Sequence, residues 1–475
     1  MLVFATIVAL AVACGGGGSP ATPTPSPTPT PKQLIVTPGP TATPPATEYR
    51  LVYREAGPTK DIIWSVSPAD VSQKTQIAVI PHREGFAVRA SISPDGTFLA
   101  YLSVPDFALS ADSSQAEATV IDLKVNEATK IADGIDYNYT PMWSPDSALL
   151  YMRRYAGPEF LNATQTIIRA RIVHKPDPEA PTPKPTPTLP PGIAPWPGPD
   201  PVVLQATVAN VLRFAPIGFA DDGKSMFFLE EEGGTSGATL VGIYAPATTE
   251  ETGKLYAAAE AAWYAAQRAN KQAADDAAAN GQPAPVDTVT PAPTRAPTSR
   301  LVVQLSEQAV TGASLSPDKH KIAYLNQTIS AEGELLNKTY LADLIEATVT
   351  PLPLTGLSEG GQLTPAWFPD GRLTVSVLPA TGGPGQMAIV ALDLSSIVLL
   401  TQPELGFDVP RVWSPDATWL AVSHMSGSSL ANPGDGRLEL LSVNGHRLTL
   451  LEGAQNAGED SVLGWIKPVA EAPAS

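Results

Sequence analysis

Hydrophobic and polar residues alternate in short runs through most of the chain after residue 49. Clear examples are ATVIDLKV, QTIIRARIV, ATLVGIYA and GQMAIVALDL, and Gly, Asp, Pro and Ser separate such runs. A period of two with many β-branched residues indicates strands, because successive side chains of a strand point to opposite faces. The pattern therefore predicts an all-β fold.

A short motif recurs along these strands. It consists of an aromatic or aliphatic residue, Ser-Pro-Asp or a close variant, and a hydrophobic strand. Proline sets the backbone at the first turn position, and Asp and Gly suit the following ones, so each copy predicts a hairpin. Five full copies begin at Ile92, Trp143, Leu315, Trp367 and Trp413, and weaker copies begin at Phe219 and Trp465.

The seven copies predict seven four-stranded units of about 50 residues, which is the pattern of a seven-bladed β-propeller. Two insertions account for the two longer separations, a Pro-rich loop at 175–200 and an Ala-rich helix with a Pro-rich loop at 250–299. Both fall between the third and fourth strand of a unit. We expect three strands between Tyr49 and Ile80 to join the Trp465 strand as a composite closing blade, which removes an exposed sheet edge.

The Ser-Pro-Asp-Gly hairpin repeat resembles that of the TolB-like, WD-type β-propellers, and the resemblance covers roughly residues 49–467. It implies a fold and no single activity, because this group includes periplasmic translocation factors, peptidase-associated propellers and envelope lipoproteins. TolB itself has six blades and a separate N-terminal domain. Since this chain has seven predicted blades and a Pro-rich N-terminal segment, the role of TolB is not carried over.

The N-terminus, MLVFATIVALAVAC, is an apolar run with the length of a signal-peptide core and is too short to span a bilayer. AVAC resembles a bacterial lipobox, which implies a signal peptide at 1–14 and lipidation at Cys14. The resemblance also implies a membrane-anchored, extracytoplasmic protein in the periplasm or on the cell surface. Ala11 stands where such boxes usually carry Leu, and no basic residue precedes the run. A simple cleaved signal, an uncleaved anchor and an upstream start codon therefore stay open.

The remaining divisions follow from composition. Residues 15–48 are dominated by Pro and Thr and predict a disordered linker with a reach on the order of 90 Å. The propeller is expected at 49–467 and a short tail at 468–475. The Ala-rich helix, Glu251 to Gly281, is interpreted as a solvated insertion. A docking surface on one side of it is the alternative, formed by Leu255, Ala259, Ala262, Trp263 and Ala266.

The net charge of −17 makes nucleic acid an unfavourable partner, and the single cysteine excludes disulfides within the chain. Residues 218–225, GFADDGKS, match the phosphate-binding loop of nucleotide hydrolases. A strand rather than a helix is expected after Lys224, and Asp221 and Asp222 would repel phosphate. We therefore interpret the stretch as the third turn of the repeat and expect no nucleotide.

Few residues suggest catalysis. The chain has no G-x-S-x-G and no H-E-x-x-H motif. The five histidines stand alone in the sequence. His82, His320 and His446 lie beside turn-like segments and are expected to be exposed, and His174 precedes a proline tract.

The repeated aspartates and tryptophans have structural interpretations. Each aspartate is expected to cap its own turn, with an acidic ring that binds Ca²⁺ as the alternative. The aspartates are Asp95, Asp146, Asp318, Asp370 and Asp416. The tryptophans at the repeat position are expected to pack between blades rather than to stack on a ligand.

The sequence favours a binding or scaffold module for a protein or peptide, because propeller faces are broad, rigid and loop-rich. It favours no catalytic residue, cofactor or metal. One alternative is a propeller-type enzyme, a lyase or hydrolase with a carboxylate- or metal-lined central channel. A structural spacer in the cell envelope is the other.

Overall fold

The computed structural model describes most of the chain after residue 43 and one short segment before it. The described residues are 32–35, 43–105, 116–156, 164–174, 204–207, 211–223, 226–233, 239–246, 249–280, 299–305, 310–329, 335–352, 354, 357, 361–379, 383–393, 395–400 and 402–467.

β-Strands dominate these residues, with one long helix. In chain order the elements are β1 (Lys32–Ile35), β2 (Arg50–Glu55), β3 (Lys60–Ser67), β4 (Asp70–Pro81), β5 (Arg89–Ile92), β6 (Phe98–Ser103), β7 (Ala116–Asp122), β8 (Glu127–Ile135), β9 (Met142–Trp143), β10 (Leu149–Ala156), β11 (Thr164–Arg171), β12 (Leu204–Thr207), β13 (Val211–Phe219), β14 (Met226–Gly233), β15 (Thr239–Pro246), α1 (Thr249–Ala279), β16 (Ser299–Gln304), β17 (Val310–Leu315), β18 (Lys321–Ile329), β19 (Leu335–Asp343), β20 (Thr348–Pro351), β21 (Ala366–Trp367), β22 (Leu373–Val377), β23 (Gln386–Val390), β24 (Ser396–Leu399), β25 (Phe407–Trp413), β26 (Trp419–Met425), β27 (Gly436–Ser442), β28 (Arg447–Glu452) and β29 (Val462–Ile466).

Neighbouring strands in the sequence pair into antiparallel sheets. Four sheets have four strands each, in the orders β13 to β16, β17 to β20, β25 to β28, and β29-β2-β3-β4. A fifth sheet contains β21 to β24 with β1 added in parallel beside β24. The sixth has eight strands, β5 to β12, but β8 and β10 share a single residue pair, Ile135 with Arg154. Four strands in chain order are therefore the repeating unit, and this is the arrangement of a β-propeller.

The predicted motif marks the end of the first strand in each unit. Its first residue is the last residue of β5, β9, β13, β17, β21 and β25. In the turn that follows each first strand, the fourth turn residue donates its backbone N–H to the carbonyl of the first turn residue, at a distance of 2.8–2.9 Å. The pairs are Gly96 with Ser93, Ser147 with Ser144, Gly223 with Ala220, Lys319 with Ser316, Gly371 with Phe368, and Ala417 with Ser414.

Gly223 has the backbone conformation of a repeat turn. It has a φ of 63°, as the fourth residues of the other turns have left-handed φ values, and a strand, β14, follows it. The stretch beginning at Gly218 is therefore the third hairpin turn, as the sequence indicates. Lys224 lies outside the described residues.

The repeated aspartates cap these turns. In every full copy the carboxylate accepts a hydrogen bond from the backbone N–H two residues later, at 3.0–3.3 Å. Four of the five also accept a bond from the hydroxyl of the preceding Ser. Their turn role is confirmed, and the carboxylate oxygens are engaged locally.

Buried apolar clusters lie between successive sheets. Val52 and Ile63 of the sheet containing β2 pack against Leu99 of the next sheet, and comparable clusters follow along the chain. A further cluster joins Leu51 and Trp465 to Trp419 of β26, so the sheet containing β2 is covered on both faces.

The repeated tryptophans connect neighbouring sheets, as expected. Each indole N–H donates a hydrogen bond to the preceding unit. The pairs are Trp143 with the Ser91 carbonyl at 3.3 Å, Trp367 with the Ser314 carbonyl at 3.1 Å, Trp413 with the Thr374 hydroxyl at 2.7 Å, and Trp465 with the Val412 carbonyl at 3.2 Å.

Part of the segment expected to be a linker, 15–48, contacts the sheets. Lys32–Ile35 pairs in parallel with Ser396–Leu399. Further along, Trp419 donates its indole N–H to the Pro45 carbonyl at 3.0 Å, and Thr47 bonds to Asp416 at 2.6 Å. Pro-rich composition does not reveal such contacts, because the carbonyls of any backbone can accept hydrogen bonds.

Helix α1 lies between the third and fourth strands of its sheet, at the predicted insertion point. It ends at Ala279, and the side-chain amide of the following residue, Asn280, donates to the Asp276 carbonyl at 2.8 Å. The described side chains from Tyr264 onward are mostly exposed. Those of four residues of the alternative docking surface lie outside the described set, namely Leu255, Ala259, Ala262 and Trp263. Within the described part of the chain, α1 included, no helix combines the length and the apolar character needed to cross a bilayer.

Two turn residues with left-handed backbone conformations allow the turn geometry to be tested by opposite substitutions. Gly371 has a φ of 91° and open space where a Cβ would stand, whereas Ala417 holds a φ of 59° in the equivalent turn. Gly371→Ala should lower the free energy of unfolding by about 1 kcal/mol, because only the backbone conformation penalises it. Ala417→Gly should raise that free energy slightly, by about 0.5 kcal/mol. Urea denaturation measures both, and an unchanged midpoint for Gly371→Ala would contradict the turn geometry.

Candidate functional site

The first strands of four successive sheets surround a cavity of about 180 Å³. Its walls come from β17, the residues just before β21, β25, and the start of β29. The lining residues are Gly312, Ala313, Ser314, Thr364, Pro365, Pro410, Arg411, Val412, Glu459 and Val462. This volume is below the roughly 300–1,000 Å³ typical of drug-sized ligand sites, so it suits one side chain or one chain end.

A glycine brings two of these walls together. Gly312 in β17 has a φ of 59°, and a Cβ at this position would lie 2.7 Å from Cγ2 of Thr364. A larger residue would collide there and would also strain the backbone. The close approach narrows the cavity on this side.

Arg411 is the cationic residue of the cavity wall. It is half-buried on β25, where its Nε donates to the Ser423 hydroxyl at 2.7 Å and its Nη2 to the Ala457 carbonyl at 3.1 Å. Burial lowers the pKa of the guanidinium, while Glu459 and Asp460 nearby oppose that shift. An arginine keeps its charge at physiological pH, so Arg411 places a fixed positive charge at the cavity.

The two acidic residues near Arg411 differ in their partners. Asp460 lies 3.3 Å from Nη2 of Arg54 and 3.6 Å from Nη1 of Arg89. Glu459 is exposed and forms no ion pair with a described residue. Arg411 likewise has two neutral hydrogen-bond acceptors and no carboxylate in contact among the described residues.

Arg54 belongs to a buried network around Asp61. The Asp61 carboxylate is fully buried, lies 2.9 Å from Arg54 and 3.0 Å from His82, and accepts the Val88 backbone N–H at 2.7 Å. The expectation that His82 is exposed is wrong: the residue is 4% exposed. Its partner lies 21 residues earlier on the adjacent strand, a contact that adjacent turn-like sequence does not reveal.

A second buried cluster lies in the sheet β25 to β28. Asp408, His424 and Glu439 offer ligand atoms within 4.8 Å of one another. Nδ1 of His424 lies 2.9 Å from Asp408 Oδ1, and Arg447 donates 2.7 and 3.1 Å hydrogen bonds to both Asp408 oxygens. Arg447 also bonds to Glu439.

This cluster already contains its cations. The Arg447 guanidinium bridges the two carboxylates, and Arg437 lies 2.6 Å from Glu439. A divalent metal among these oxygens would be repelled by both guanidinium groups. The residues therefore fit a neutral ion-pair network better than a metal site.

The network controls the ionisation of Asp408. Burial alone raises the pKa of this carboxyl, but hydrogen bonds from His424 and Arg447 outweigh burial and hold the pKa below its ordinary value. Two histidines that stand alone in the sequence have carboxylate partners in the structure: His424 contacts Asp408, and His174 lies 3.0 Å from Asp122. His320 is exposed, as expected, with 46% of its side chain accessible.

The sequence distinguishes Arg411 once the seven repeat copies are aligned, although a search for known motifs does not find it. Two residues before the first motif residue, the seven copies carry mostly apolar residues, and only one copy carries a charge. The residues are Ala90, Pro141, Ile217, Ala313, Pro365, Arg411 and Leu463. Three of these positions line the cavity. Cys14, the predicted lipidation site, lies outside the described residues.

No protein-family model and no curated protein matches the chain. Among solved structures, the chain is similar to the β-propeller domain of the trilobed protease from Pyrococcus furiosus, at 12% identity and a TM-score of 0.47, covering 87% of this chain and 95% of that one. It is also similar to a putative TolB from Agrobacterium tumefaciens, at 14% identity and a TM-score of 0.36, covering 80% and 84%. A third is an oligogalacturonate lyase in complex with manganese, at 10% identity and a TM-score of 0.44, covering 86% of both chains. These similarities are too distant to assign a ligand, a reaction or a family.

Asp408 provides a test of the buried network. Asp408→Asn should lower the free energy of unfolding at pH 7 by about 3 kcal/mol, because it leaves Arg447 without its main anionic partner. Since the folded-state pKa is depressed, the difference between the two proteins should shrink as the pH falls below about 4. Urea denaturation across pH measures this, with the exposed Asp435→Asn as control. A loss that is the same at pH 3 and pH 7 would contradict the assignment.

Proposed function

We propose that the chain is a lipid-anchored, extracytoplasmic β-propeller that binds a protein or peptide partner at the cavity between its first strands. In this proposal seven blades form one closed ring. The eight-stranded sheet counts as two blades, because one residue pair joins its halves. The two termini share the closing blade.

Strand pairing supports the closed ring. The C-terminal β29 pairs with β2 in antiparallel register, from Arg50 with Ile466 to Tyr53 with Val462. Gly464 of β29 also approaches the next sheet, because a Cβ there would lie 3.2 Å from Ile92 of β5. On its other side, β29 contacts β25 through the hydrogen bond from Trp465 to the Val412 carbonyl. Since β29 contacts one sheet from the start of the chain and one from its end, a ring accounts for its position.

The observation that carries the binding role is the cavity itself. It lies among first strands, combines backbone, small side chains, one guanidinium and the Glu459 carboxylate, and has no described histidine in its wall. Such a wall can recognise a charged group, whereas acid–base or nucleophilic catalysis needs converging groups of matched pKa. Binding is the function that these residues support best.

The anchor rests on the sequence of the first 14 residues and is part of the proposal. The pairing of Lys32–Ile35 with β24 refines the expected spacer. If Cys14 is lipidated and this pairing persists, only residues 15–31 lie between the membrane and the sheets. Seventeen residues reach at most about 60 Å, less than the 90 Å of the whole linker.

The alternative is a propeller-type enzyme, a lyase or hydrolase. Its specific support is the Asp408–His424–Glu439 cluster, since a histidine paired with a carboxylate can act as a base. The two arginines that neutralise the cluster place this alternative second. Saturable binding of Mn²⁺ or Zn²⁺ that is lost in His424→Ala would favour it.

Site-specific photo-crosslinking tests the binding role. A photoreactive amino acid at Glu459, on the cavity wall, should form a discrete protein or peptide adduct in native membranes. The same group at Ile345, which is 65% exposed in the hairpin between β19 and β20, should not. Mass spectrometry of the adducts identifies the partner.

Two results would count against the proposal. Equal adducts from both positions would indicate non-specific contact, and the absence of any adduct at Glu459 would argue against a partner at the cavity.

The lipid anchor has its own test. In the cells used for crosslinking, Cys14→Ser should move the chain from the membrane to the soluble fraction. Retention of the variant in the membrane would contradict the lipid anchor.

A further inference from the structure

Arg411 differs from every equivalent residue of the repeat. The other six positions carry Ala, Pro, Ile or Leu, which serve packing, and Arg411 alone introduces a charge. Placing a charge on a half-buried inner strand costs desolvation free energy. The lowered pKa of its guanidinium is consistent with that cost.

Only some of the hydrogen-bond donors of Arg411 have partners among the described residues. An arginine has five N–H donors, and two of its nitrogens, Nε and Nη2, hold the side chain in place through Ser423 and Ala457. Nη1 has no hydrogen-bond partner among the described residues, and both acceptors are neutral. The side chain is therefore fixed in orientation while its charge lacks a contacting anion.

We infer that this cavity binds a carboxylate group, with Arg411 as its charge partner. A carboxylate matches the planar fork of a guanidinium and accepts hydrogen bonds from its N–H groups. The small cavity volume limits the occupant to a chain terminus or one acidic side chain. This inference rests on the proposed binding function and names the chemical group that the partner presents.

Glu459 makes the inference sharper because it acts in the opposite sense. It lines the same cavity, is exposed, and bears a negative charge near Arg411. It repels an incoming carboxylate, so the two residues should have opposite effects on affinity. A purely structural role of Arg411 predicts no effect of Glu459 on ligand binding.

The test is calorimetric titration of the full chain in detergent with three acetylated tripeptides. One is trialanine with a free C-terminal carboxylate, the second is Ala-Glu-Ala amide, and the third is trialanine amide, which has no carboxylate. We expect one or both acidic peptides to bind and the neutral amide not to bind. The first two distinguish a chain terminus from an acidic side chain as the source of the carboxylate.

Variants of the two charged residues complete the test. Arg411→Gln should weaken binding of the acidic peptide by about tenfold or more, because a charge-assisted pair is lost. Glu459→Gln should strengthen it by about two- to threefold, as expected for an exposed charge. Arg372→Gln, at a partly exposed arginine paired with Asp370, is the matched control and should leave the affinity unchanged.

Several outcomes would overturn the inference. They are equal affinity for the neutral amide, no binding of either acidic peptide, and unchanged affinity in Arg411→Gln. If Arg411→Gln does not fold, Glu459→Gln decides, and unchanged affinity in that variant would also overturn it. A Glu459 photo-adduct in membranes together with any of these results would leave the binding function standing and remove only the carboxylate specificity.

Discussion

Each sheet of this chain has two apolar faces, and neither can remain in contact with water. Four twisted strands cannot bury both faces alone, so a sheet with two apolar faces is stabilised by neighbouring sheets. The tryptophans at the ends of first strands add direction to this requirement, because their indole N–H groups bond to the preceding unit. Hydrophobic packing has no preferred orientation. The indole hydrogen bonds fix how neighbouring sheets are oriented and keep their first strands close together.

The same constraint produces the candidate site. Where first strands approach one another, three of the seven positions that lie two residues before the motif line the cavity, namely Ala313, Pro365 and Arg411. One arginine among them acquires a defined environment without any dedicated loop. Around it, Asp460 is held by Arg54 and Arg89, while Arg54 is held in turn by the buried Asp61. These charges are paired, whereas Arg411 has no contacting carboxylate among the described residues, and the proposed recognition rests on that difference.

Local chemistry explains what the sequence predicts well. The hairpins are recognisable because the turn favours Ser, Pro, Asp and a fourth residue that tolerates a left-handed backbone. The degenerate copy at Phe219 lacks the Ser and the Pro but keeps Asp222 and Gly223 in register. Side-chain contacts between strands have no comparable local sequence pattern. His82 meets Asp61, and His424 meets Asp408, only because antiparallel pairing places distant residues side by side. The docking of Lys32–Ile35 is equally hidden, since a backbone pairing needs little from the side chains.

The central claim is that the termini close the ring by sharing one sheet. Hydrogen exchange of the β29 backbone amides tests it most directly, because a strand that closes the ring opens only when the whole fold unfolds. The account predicts that the Leu463 to Ile466 amides that bond to β2 exchange as slowly as those of β26 in the neighbouring sheet. Rapid exchange of β29, typical of a fraying terminus, alongside slow exchange of β26 would contradict it.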